Sequence, residues 1–355
     1  MNRLLPVCIA LVLNAASTGM SFAGERTPER VETFATLPAG VRFPEGITAN
    51  PATGDIFVAT FDFGPNANKL LRYNRQGQLT AERDFGGTPL LGLAFGPSDA
   101  KVYITNFGAS KIQRITASFN GGTAIEDVAT LPQIGAPADR LEGNPDGSSD
   151  RIQFGSNKFP APNAMEFDRS GNLYVSDSFQ GAIYRIDNAQ GCYTPCSVTT
   201  VVQHPLLATP GFPPFGANGL ALSRDGSTLF VSNTGDDRVL KMDLATNAIT
   251  VFTESINGAD GIAFDDRGVL WAAANQSDEI VALNANGRVI ARVGAFERIG
   301  YDGAPVGLLF PASIVFVRGD MFVTNLAIAL TPAVGDETEE DVMRWTISRI
   351  RMRGH

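Results

Sequence analysis

The sequence predicts an all-β protein, a six-bladed β-propeller with four-stranded antiparallel blades. Three observations predict this fold: a short phrase recurs six times, each repeat contains four strand-like segments, and the first strand of the chain has no repeat of its own. With 355 residues, of which 44% are hydrophobic, the chain is large enough for one all-β domain. We place this single domain over residues 28–353.

The recurring phrase is a short apolar strand, a turn and a second strand. It occupies residues 44–61, 90–106, 162–178, 217–234, 259–275 and 311–325. Glycine stands in most of these turns, where a tight turn needs a positive φ. A period of about 40 residues with strand-like units is typical of propellers.

Two further segments follow each of the first five phrases. The third reads KLLRYN, KIQRIT, AIYRID, RVLKMD and EIVALN in the first five repeats, and the fourth includes TAERDF, VTTVVQHP and AITVFTE. These segments alternate in polarity or are β-branched, and turn residues bound them, so each is interpreted as a strand. Four strands in each of six units predict six complete blades.

The chain ends predict how the ring closes. The last repeat stops at its third strand, WTISRIR, over residues 345–351, whereas VETFATLP at 31–38 precedes the first repeat. The strand at 31–38 resembles the fourth strands of other repeats. We therefore expect it to form the outer strand of the last blade and to close the ring.

The first 23 residues resemble a cleaved secretory signal. Arg3 precedes an apolar run from Leu4 to Leu13, and Ser21-Phe22-Ala23 suits a signal peptidase. The sequence therefore predicts a periplasmic or secreted protein, with no membrane span after the signal is removed. Of the three cysteines, Cys192 and Cys196 remain, and their spacing in an exported protein favours a structural disulfide.

The charge balance bears on partners. The formal net charge is −9, and the chain contains no long basic run. Nucleic acid and anionic membrane surfaces are therefore not expected as partners, and a small molecule is. The sequence leaves the oligomeric state open.

Alignment of the six phrases places one column of residues immediately before the first strand. Its members are Glu45, Leu91, Asn163, Asn218, Asp260 and Ala312. Because the first strand of a propeller blade lines the central channel, the four polar members should converge on its axis. Two carboxylates and two amide carbonyls are hard oxygen donors. They predict one divalent cation, with calcium favoured over magnesium and manganese, and zinc or copper disfavoured.

The alternative is that these side chains only cap turns, as Asn and Asp often do. That reading explains Glu45 poorly. A second column, at the ends of the second strands, contains Asp62, Asn106, Asp177, Asn233, Asn275 and Asn325. Among these, Asn106 and Asp177 are the candidates for binding substrate, whereas local backbone bonding accounts for the others.

Long Gly- and Pro-rich loops at 133–162, 208–217 and 296–311 lead into the column. We expect them on the same face, where they would shape a binding site. Their aromatic residues, Phe159, Phe212, Phe215 and Tyr301, are candidates for an apolar lining.

The motifs PEG, PNAMEFDRSGNLYVSDS, ANGLALSRDGSTLFVSNT and ADGIAFDDRG resemble the regucalcin/gluconolactonase family of calcium-dependent lactonases. The resemblance is strongest from Pro162 to Asn275. It implies a six-bladed propeller whose divalent metal is held by Glu45, Asn163, Asn218 and Asp260. It also implies that Asp260 is the general base that activates water.

These residues predict a metal-dependent hydrolase of a lactone or related ester. Water activated by Asp260 attacks a carbonyl that the cation polarises, while Glu45 holds the cation and offsets its charge. A Ser-His-Asp hydrolase is disfavoured, since His204 and His355 are the only histidines and G-x-S-x-G is absent. The alternatives are a non-catalytic, NHL-like propeller that binds a peptide or glycan, and phosphotriesterase-type chemistry on the same metal.

Overall fold

The computed structural model describes residues 30–155 and 159–352. The predicted signal at 1–23 lies outside the described residues. Six four-stranded antiparallel sheets form a β-propeller, which confirms the predicted fold class.

The first three blades use consecutive strands. Blade 1 contains β2 (Pro44–Ala49), β3 (Ile56–Thr60), β4 (Lys69–Tyr73) and β5 (Leu79–Asp84). Blade 2 contains β6 (Leu90–Phe95), β7 (Lys101–Asn106), β8 (Lys111–Thr116) and β9 (Glu126–Thr130). Blade 3 contains β12 (Pro162–Phe167), β13 (Leu173–Asp177), β14 (Ala182–Ile186) and β15 (Thr199–Gln203).

Blades 4 to 6 complete the ring. Blade 4 contains β16 (Ala217–Leu222), β17 (Thr228–Asn233), β18 (Arg238–Asp243) and β19 (Ile249–Glu254). Blade 5 contains β20 (Ala259–Phe264), β21 (Leu270–Ala274), β22 (Glu279–Leu283) and β23 (Val289–Val293). Blade 6 contains β26 (Pro311–Val317), β27 (Asp320–Asn325), β28 (Thr346–Arg351) and β1 (Glu32–Thr36).

The first strand of each blade is innermost. These six strands contact one another in chain order, and β26 contacts β2. The second strands are buried on both faces, as in IFVAT of β3, because neighbouring blades cover them. The outer strands alternate with solvent, as in LTAERD of β5. Apolar side chains at the interfaces between blades form the core.

The ring closes as predicted, with β1 as the outer strand of blade 6. This strand pairs antiparallel with β28, so that Glu32 lies opposite Arg349 and Thr36 opposite Thr346. Glu32 accepts a hydrogen bond of 2.7 Å from Arg349. The two ends of the described chain therefore share one sheet, which removes an open edge.

Every first strand carries a β-bulge at the column. In blade 1, Pro44 pairs with Thr60 and Ile47 with Val58, so residues 45 and 46 lie opposite one residue of β3. The other blades repeat this shift. The strands thus begin one residue before the column rather than after it, as the sequence had suggested. A bulge redirects the side chain at its position.

The bulges bring neighbouring strands very close. A Cβ on Gly46 would lie 2.1 Å from the carbonyl oxygen of Leu91, and one on Gly219 would lie 2.6 Å from that of Asp260. Glycine at these positions permits the approach. The inner strands of neighbouring blades therefore approach one another closely at the column.

Two added hairpins interrupt the repeat, β10 (Arg140–Gly143) with β11 (Ser149–Ile152) and β24 (Phe296–Ile299) with β25 (Pro305–Gly307). Short 3₁₀ turns occupy Phe107–Ala109, Pro205–Leu207, Asn275–Ser277 and Thr338–Asp341. Over residues 30–155 and 159–352, no helix has the length and hydropathy to cross a bilayer.

A disulfide joins Cys192 to Cys196. It lies between β14 and β15. Because successive strands of a blade run antiparallel, this connection lies at the end of the ring opposite to the column.

Candidate metal site at the mouth of the ring

Four polar column residues meet at one cavity. Glu45, Asn163, Asn218 and Asp260 all line a cavity of about 80 Å³, although they come from four different blades. Each side chain is at least 95% buried, since the largest exposed fraction is 5%, at Asn218. The predicted convergence of these side chains is therefore present in the fold.

Hydroxyl groups hold the bulges that carry the four residues. Each of the four backbone carbonyls accepts a hydrogen bond from a buried Ser or Thr of the preceding blade. The pairs, donor first, are Thr324 to Glu45, Thr105 to Asn163, Ser176 to Asn218 and Ser232 to Asp260. Alanine occupies the equivalent positions before Leu91 and Ala312, at residues 59 and 273. Within the part of the chain described, only the polar column residues have a backbone carbonyl that accepts such a hydrogen bond.

The orientation of the Asn163 amide follows from its partner. Ser178 Oγ donates its single proton to the carbonyl oxygen of Ala217 at 2.7 Å. The contact of 2.9 Å between Asn163 Nδ2 and Ser178 Oγ must therefore use an amide proton. Asn163 Oδ1 therefore faces the cavity, where it can coordinate a cation.

Asn218 repeats this arrangement one blade further on. Thr234 Oγ1 donates to the carbonyl oxygen of Ala259 at 2.8 Å and accepts from Asn218 Nδ2 at 2.9 Å. The Thr234 hydroxyl can therefore only accept from the amide, so that Asn218 Nδ2 contacts the hydroxyl and Asn218 Oδ1 points away from it. Two neutral oxygen donors are thus oriented before any ligand binds.

The two carboxylates are buried and only partly paired. Asn275 Nδ2 donates to Asp260 Oδ2 at 2.9 Å. Asp260 Oδ1 and Glu45 Oε2 are buried atoms without a hydrogen-bond partner in the part of the chain described. Such atoms are costly unless another group satisfies them.

Burial and mutual repulsion disfavour charge on both acids. Burial raises the pKa of Asp260 to about 7, although the hydrogen bond from Asn275 opposes the rise. Burial, and then the charge of Asp260, raise the pKa of Glu45 well above its usual value. A divalent cation between the two carboxylates would stabilise their ionised forms and lower both pKa values.

The donor set fits a hard cation. Two carboxylates and two amide oxygens are the ligand types that calcium and magnesium prefer. No group of three or more His, Cys, Asp or Glu residues within residues 30–155 and 159–352 could hold a metal. A cation at this cavity would therefore depend on the amide oxygens as well as on the acids.

The second predicted column is not one structural column. The strand pairing aligns Asn106, Asp177, Asn233 and Asn325 with Thr60 and Ala274, so Asp62 and Asn275 are out of register with the rest. Asn275 instead occupies the next position. Its equivalents there include Ser178 and Thr234, which hold the two column amides.

Asn106 and Asp177, the predicted substrate-binding residues, lie outside the lining of this cavity. Asn106 Nδ2 donates to Gln113 at 2.9 Å, and its Oδ1 accepts from the Ala109 N–H. Asp177 accepts from the side chain of Gln180 and from backbone N–H groups, including that of Ala161. Both side chains hold loops next to the site, and their role in substrate binding stays a prediction.

Apolar residues form the rest of the cavity wall. The lining comprises Phe61, Leu91, Pro213, Phe215, Phe310, Leu326, Ile328 and Leu330, besides Thr234, Asn275 and the four column residues. Phe215 is thus placed as the sequence suggested, and Phe159 packs nearby, 5.0 Å from Phe179 between ring centroids. Phe212 and Tyr301 are exposed.

The sequence did not indicate Ser178, Thr234 or residues 326–330 as part of the site. Residues 326–330 begin the long connection between β27 and β28, which leaves the column end of blade 6. Ser178 and Thr234 could have been found as the residues that directly follow the strand-ending Asp177 and Asn233. This position can be recognised only when the strands are aligned by their pairing.

Comparison with known proteins supports the resemblance inferred from these motifs. Residues 215–297 match the profile of the SMP-30/gluconolactonase/LRE-like region. The chain is 29% identical over 138 residues to lactonase drp35 of Staphylococcus saprophyticus, a match that covers 36% of this chain and 40% of the relative. The chain therefore matches about two fifths of the length of this curated relative.

Solved propellers match most of the chain. A luciferin-regenerating enzyme has a TM-score of 0.61 at 16% identity, covering 92% of this chain and 95% of its own. A calcium-binding regucalcin of Agrobacterium tumefaciens has a TM-score of 0.57 at 17% identity, covering 90% and 96%. A gluconolactonase of Xanthomonas campestris has a TM-score of 0.56 at 13% identity, covering 93% and 91%. At these identities the likeness shows the shared fold.

Proposed function

We propose that the protein belongs to the SMP-30/gluconolactonase/LRE-like family, whose profile residues 215–297 match, and that it is a metal-dependent hydrolase of a lactone or related ester. One observation carries the proposal. The unpartnered oxygens Glu45 Oε2 and Asp260 Oδ1 share a small cavity with two oriented amides. A protein that used this ring only as a scaffold would gain nothing from such a costly arrangement.

The cation would be held by Glu45, Asn163, Asn218 and Asp260, and the oxygen-only donor set favours calcium. When bound, it would supply Lewis-acid polarisation of the substrate carbonyl. Glu45 would offset the cation's charge. Because Ser178 and Thr234 already fix the orientation of the two amides, little reorganisation would be needed on binding.

Asp260 is the proposed general base. Its Oδ2 is fixed by Asn275 Nδ2 at 2.9 Å, and its Oδ1 is unpartnered. Asp260 Oδ1 would therefore accept the proton of the attacking water, and Asn275 keeps the carboxylate in one rotamer. When the acyl C–O bond breaks, Asp260 would return this proton to the alkoxide that is released. Apolar walls reduce competing water and strengthen these interactions.

The test is metal content and lactone turnover of the purified protein, measured with calcium and after removal of metal by a chelator. Asp260→Asn should abolish turnover, since it removes the proton acceptor. Asn163→Ala should weaken calcium binding, since it removes one ligand. Turnover that survives thorough chelation, or metal content unchanged in both variants, would refute the proposed site.

The Cys192→Ser/Cys196→Ser variant is a suitable control for these two substitutions. The disulfide lies at the opposite end of the ring, so its removal should leave calcium affinity unchanged while lowering stability. A loss of calcium binding in this variant would mean that the readout reports general stability.

We also propose that the protein is exported to the periplasm or beyond the cell. The support is the signal-like sequence at 1–23 together with the disulfide, which persists in oxidising compartments. N-terminal sequencing of the mature protein should begin near residue 24. A mature chain that retains Arg3 would contradict export by this route.

A further inference from the structure

We propose that the substrate is an apolar lactone or ester, whose hydrocarbon part packs against blades 6, 1 and 2 while its carbonyl meets the column residues. This inference rests on the proposed function and names its substrate class. It excludes polyhydroxylated sugar lactones as the preferred substrate. The argument depends on how polar and apolar side chains divide the mouth of the ring.

The division between polar and apolar side chains is seen at one position in each blade. This position is the residue that directly follows the end of the pairing between the first and second strands. In blades 3, 4 and 5 this residue is Ser178, Thr234 and Asn275, and each contacts the polar column residue of its own blade. In blades 6, 1 and 2 the equivalent residue is apolar. These three residues are Leu326, Phe61 and Phe107.

The column itself follows the same division, with one exception. Leu91 of blade 2 and Ala312 of blade 6 belong to a buried apolar cluster with Phe61, Phe107 and Leu326. Glu45 of blade 1 is the exception, and it brings its unpartnered oxygen into otherwise apolar surroundings. At these two positions, polar groups therefore come mainly from blades 3 to 5 and hydrocarbon from blades 6, 1 and 2, while the loop before blade 4 adds Pro213 and Phe215 to the apolar wall.

Besides the column residues and Asn275 Oδ1, a buried acceptor without a partner in the part of the chain described, few polar groups remain to recognise substrate hydroxyls. Ser178 and Thr234 each spend their proton on a backbone carbonyl. Asp62, next to the apolar side, is bound by Arg42 through contacts of 2.9 Å and by the Gly64 N–H. A sugar lactone would have to bury several hydroxyl groups here without partners, and such burial is unfavourable.

A continuous track of phenylalanine rings leads from the cavity to solvent. We define this Phe track as Phe61, Phe63, Phe107, Phe159, Phe179 and Phe215. Phe61 and Phe215 line the cavity, with 6.1 Å between their ring centroids. Phe63 packs 4.7 Å from Phe61 and is 66% exposed.

The Phe track explains how a small cavity could serve a larger substrate. About 80 Å³ accommodates a cation with the reacting group, but no long chain. A hydrocarbon tail would therefore leave the cavity along Phe61 and Phe63. Exposed aromatic surface that is continuous with a buried site is typical of a surface that is covered when ligand binds.

The test is a series of γ-lactones with increasing alkyl chains, from γ-butyrolactone through γ-octalactone to γ-dodecalactone, compared with δ-gluconolactone. Each methylene that becomes buried should raise kcat/KM about fourfold, until the chain extends beyond Phe63. The δ-gluconolactone should be the poorest substrate. A flat series, with δ-gluconolactone preferred, would overturn the inference and leave the hydrolase proposal intact.

Binding separates the two proposals. Cyclopentanones with the same alkyl chains at carbon 3 have a methylene in place of the ring oxygen of the lactones and cannot be hydrolysed, and calorimetry gives their Kd. Affinity that rises with chain length, without turnover of any lactone, would support the apolar site and contradict the hydrolase. Affinity independent of chain length would overturn the inference.

Phe63→Ala tests the Phe track, since this exposed ring can be removed with little effect on folding. The ratio of the affinity for the octyl ketone to that for the butyl ketone should fall by about tenfold. The affinity for unsubstituted cyclopentanone should not change. Tyr193→Ala is the matched control, because this aromatic residue is 97% exposed in the disulfide loop at the other end of the ring. Equal effects of both variants would contradict a role for the Phe track.

Discussion

The hydroxyl of Thr324, in the last blade, donates a hydrogen bond of 2.7 Å to the backbone carbonyl of Glu45, in the first. The bond joins the two blades at which the chain begins and ends its circuit, and it holds the bulge that carries one of the two buried acids. Closure of the ring and placement of the site therefore depend on the same contact.

Removal of the Thr324 hydroxyl should weaken both the closure of the ring and the placement of the site. In Thr324→Val the buried carbonyl of Glu45 loses its partner, which should lower the free energy of unfolding by about 1–3 kcal/mol. Calcium affinity should fall as well, because the bulge is less fixed. Thr324→Ser keeps the hydroxyl and should retain calcium affinity, as measured by calorimetry. Equal calcium affinity in both variants would contradict this coupling.

Ser178→Ala should weaken calcium binding although Ser178 is not a proposed ligand. The substitution leaves Asn163 Nδ2 without its acceptor and frees the amide to rotate, so we expect a loss of tenfold or more in calcium affinity. Ser348→Ala is a matched control, since Ser348 is equally buried and accepts from Asn325 Nδ2 at 2.9 Å, in the third strand of blade 6. A similar loss of affinity in both variants would show a general effect of the cavity created.

Calcium should stabilise the folded protein. A ligand that binds only the folded state at one hundred times its Kd adds about 2.7 kcal/mol to the free energy of unfolding. Tm should therefore rise with calcium concentration, and chelation should reverse the rise. Glu45→Gln should reduce this dependence, because it removes one of the two charges that balance the cation. A Tm that is independent of calcium in the unmodified protein would contradict the site.

Glu166 should make stability depend on pH. It lines a larger cavity, of about 600 Å³, at the opposite end of the channel, where burial raises its pKa to about 7. Because folding favours the protonated acid, its contribution to stability is complete below the unfolded pKa of about 4.5 and is lost as the pH rises through 7.

Glu166→Gln should remove this dependence. The difference in free energy of unfolding between the variant and the unmodified protein should be about 1–3 kcal/mol more favourable to the variant at pH 8 than at pH 4. Denaturant unfolding at the two pH values measures it. Glu82→Gln is a control on the exposed outer strand of blade 1. An identical pH profile for Glu166→Gln and the unmodified protein would contradict the prediction.

The sequence predicted the blades and the column because both repeat. Alternation of polarity identifies strands locally, and six copies aligned on Glu45, Asn163, Asn218 and Asp260 identify one structural position without knowledge of the fold. The bulge at that position was not predictable, since the extra residue appears only in the pairing, as between Pro44 and Ile47.

Register explains what the sequence missed. The strand-ending Asn and Asp residues look alike, but Asn275 lies one position beyond Asn233 when blades are superimposed by their pairing. Leu326 and Ile328 were missed for another reason: they precede a long acidic connection whose path depends on tertiary packing. Local pattern therefore predicted which candidate ligands lie at one structural position, whereas pairing and packing determined their surroundings.

The β1 strand has a consequence for the order of folding. Its partner, β28, is about 310 residues further along the chain, so β1 must remain unpaired during synthesis until almost the entire polypeptide has emerged. A ribosome-bound nascent chain could form the middle blades but could not complete the circle. An open ring of this kind would suit the export proposed above, since the chain would reach a translocation channel before its first and last strands pair.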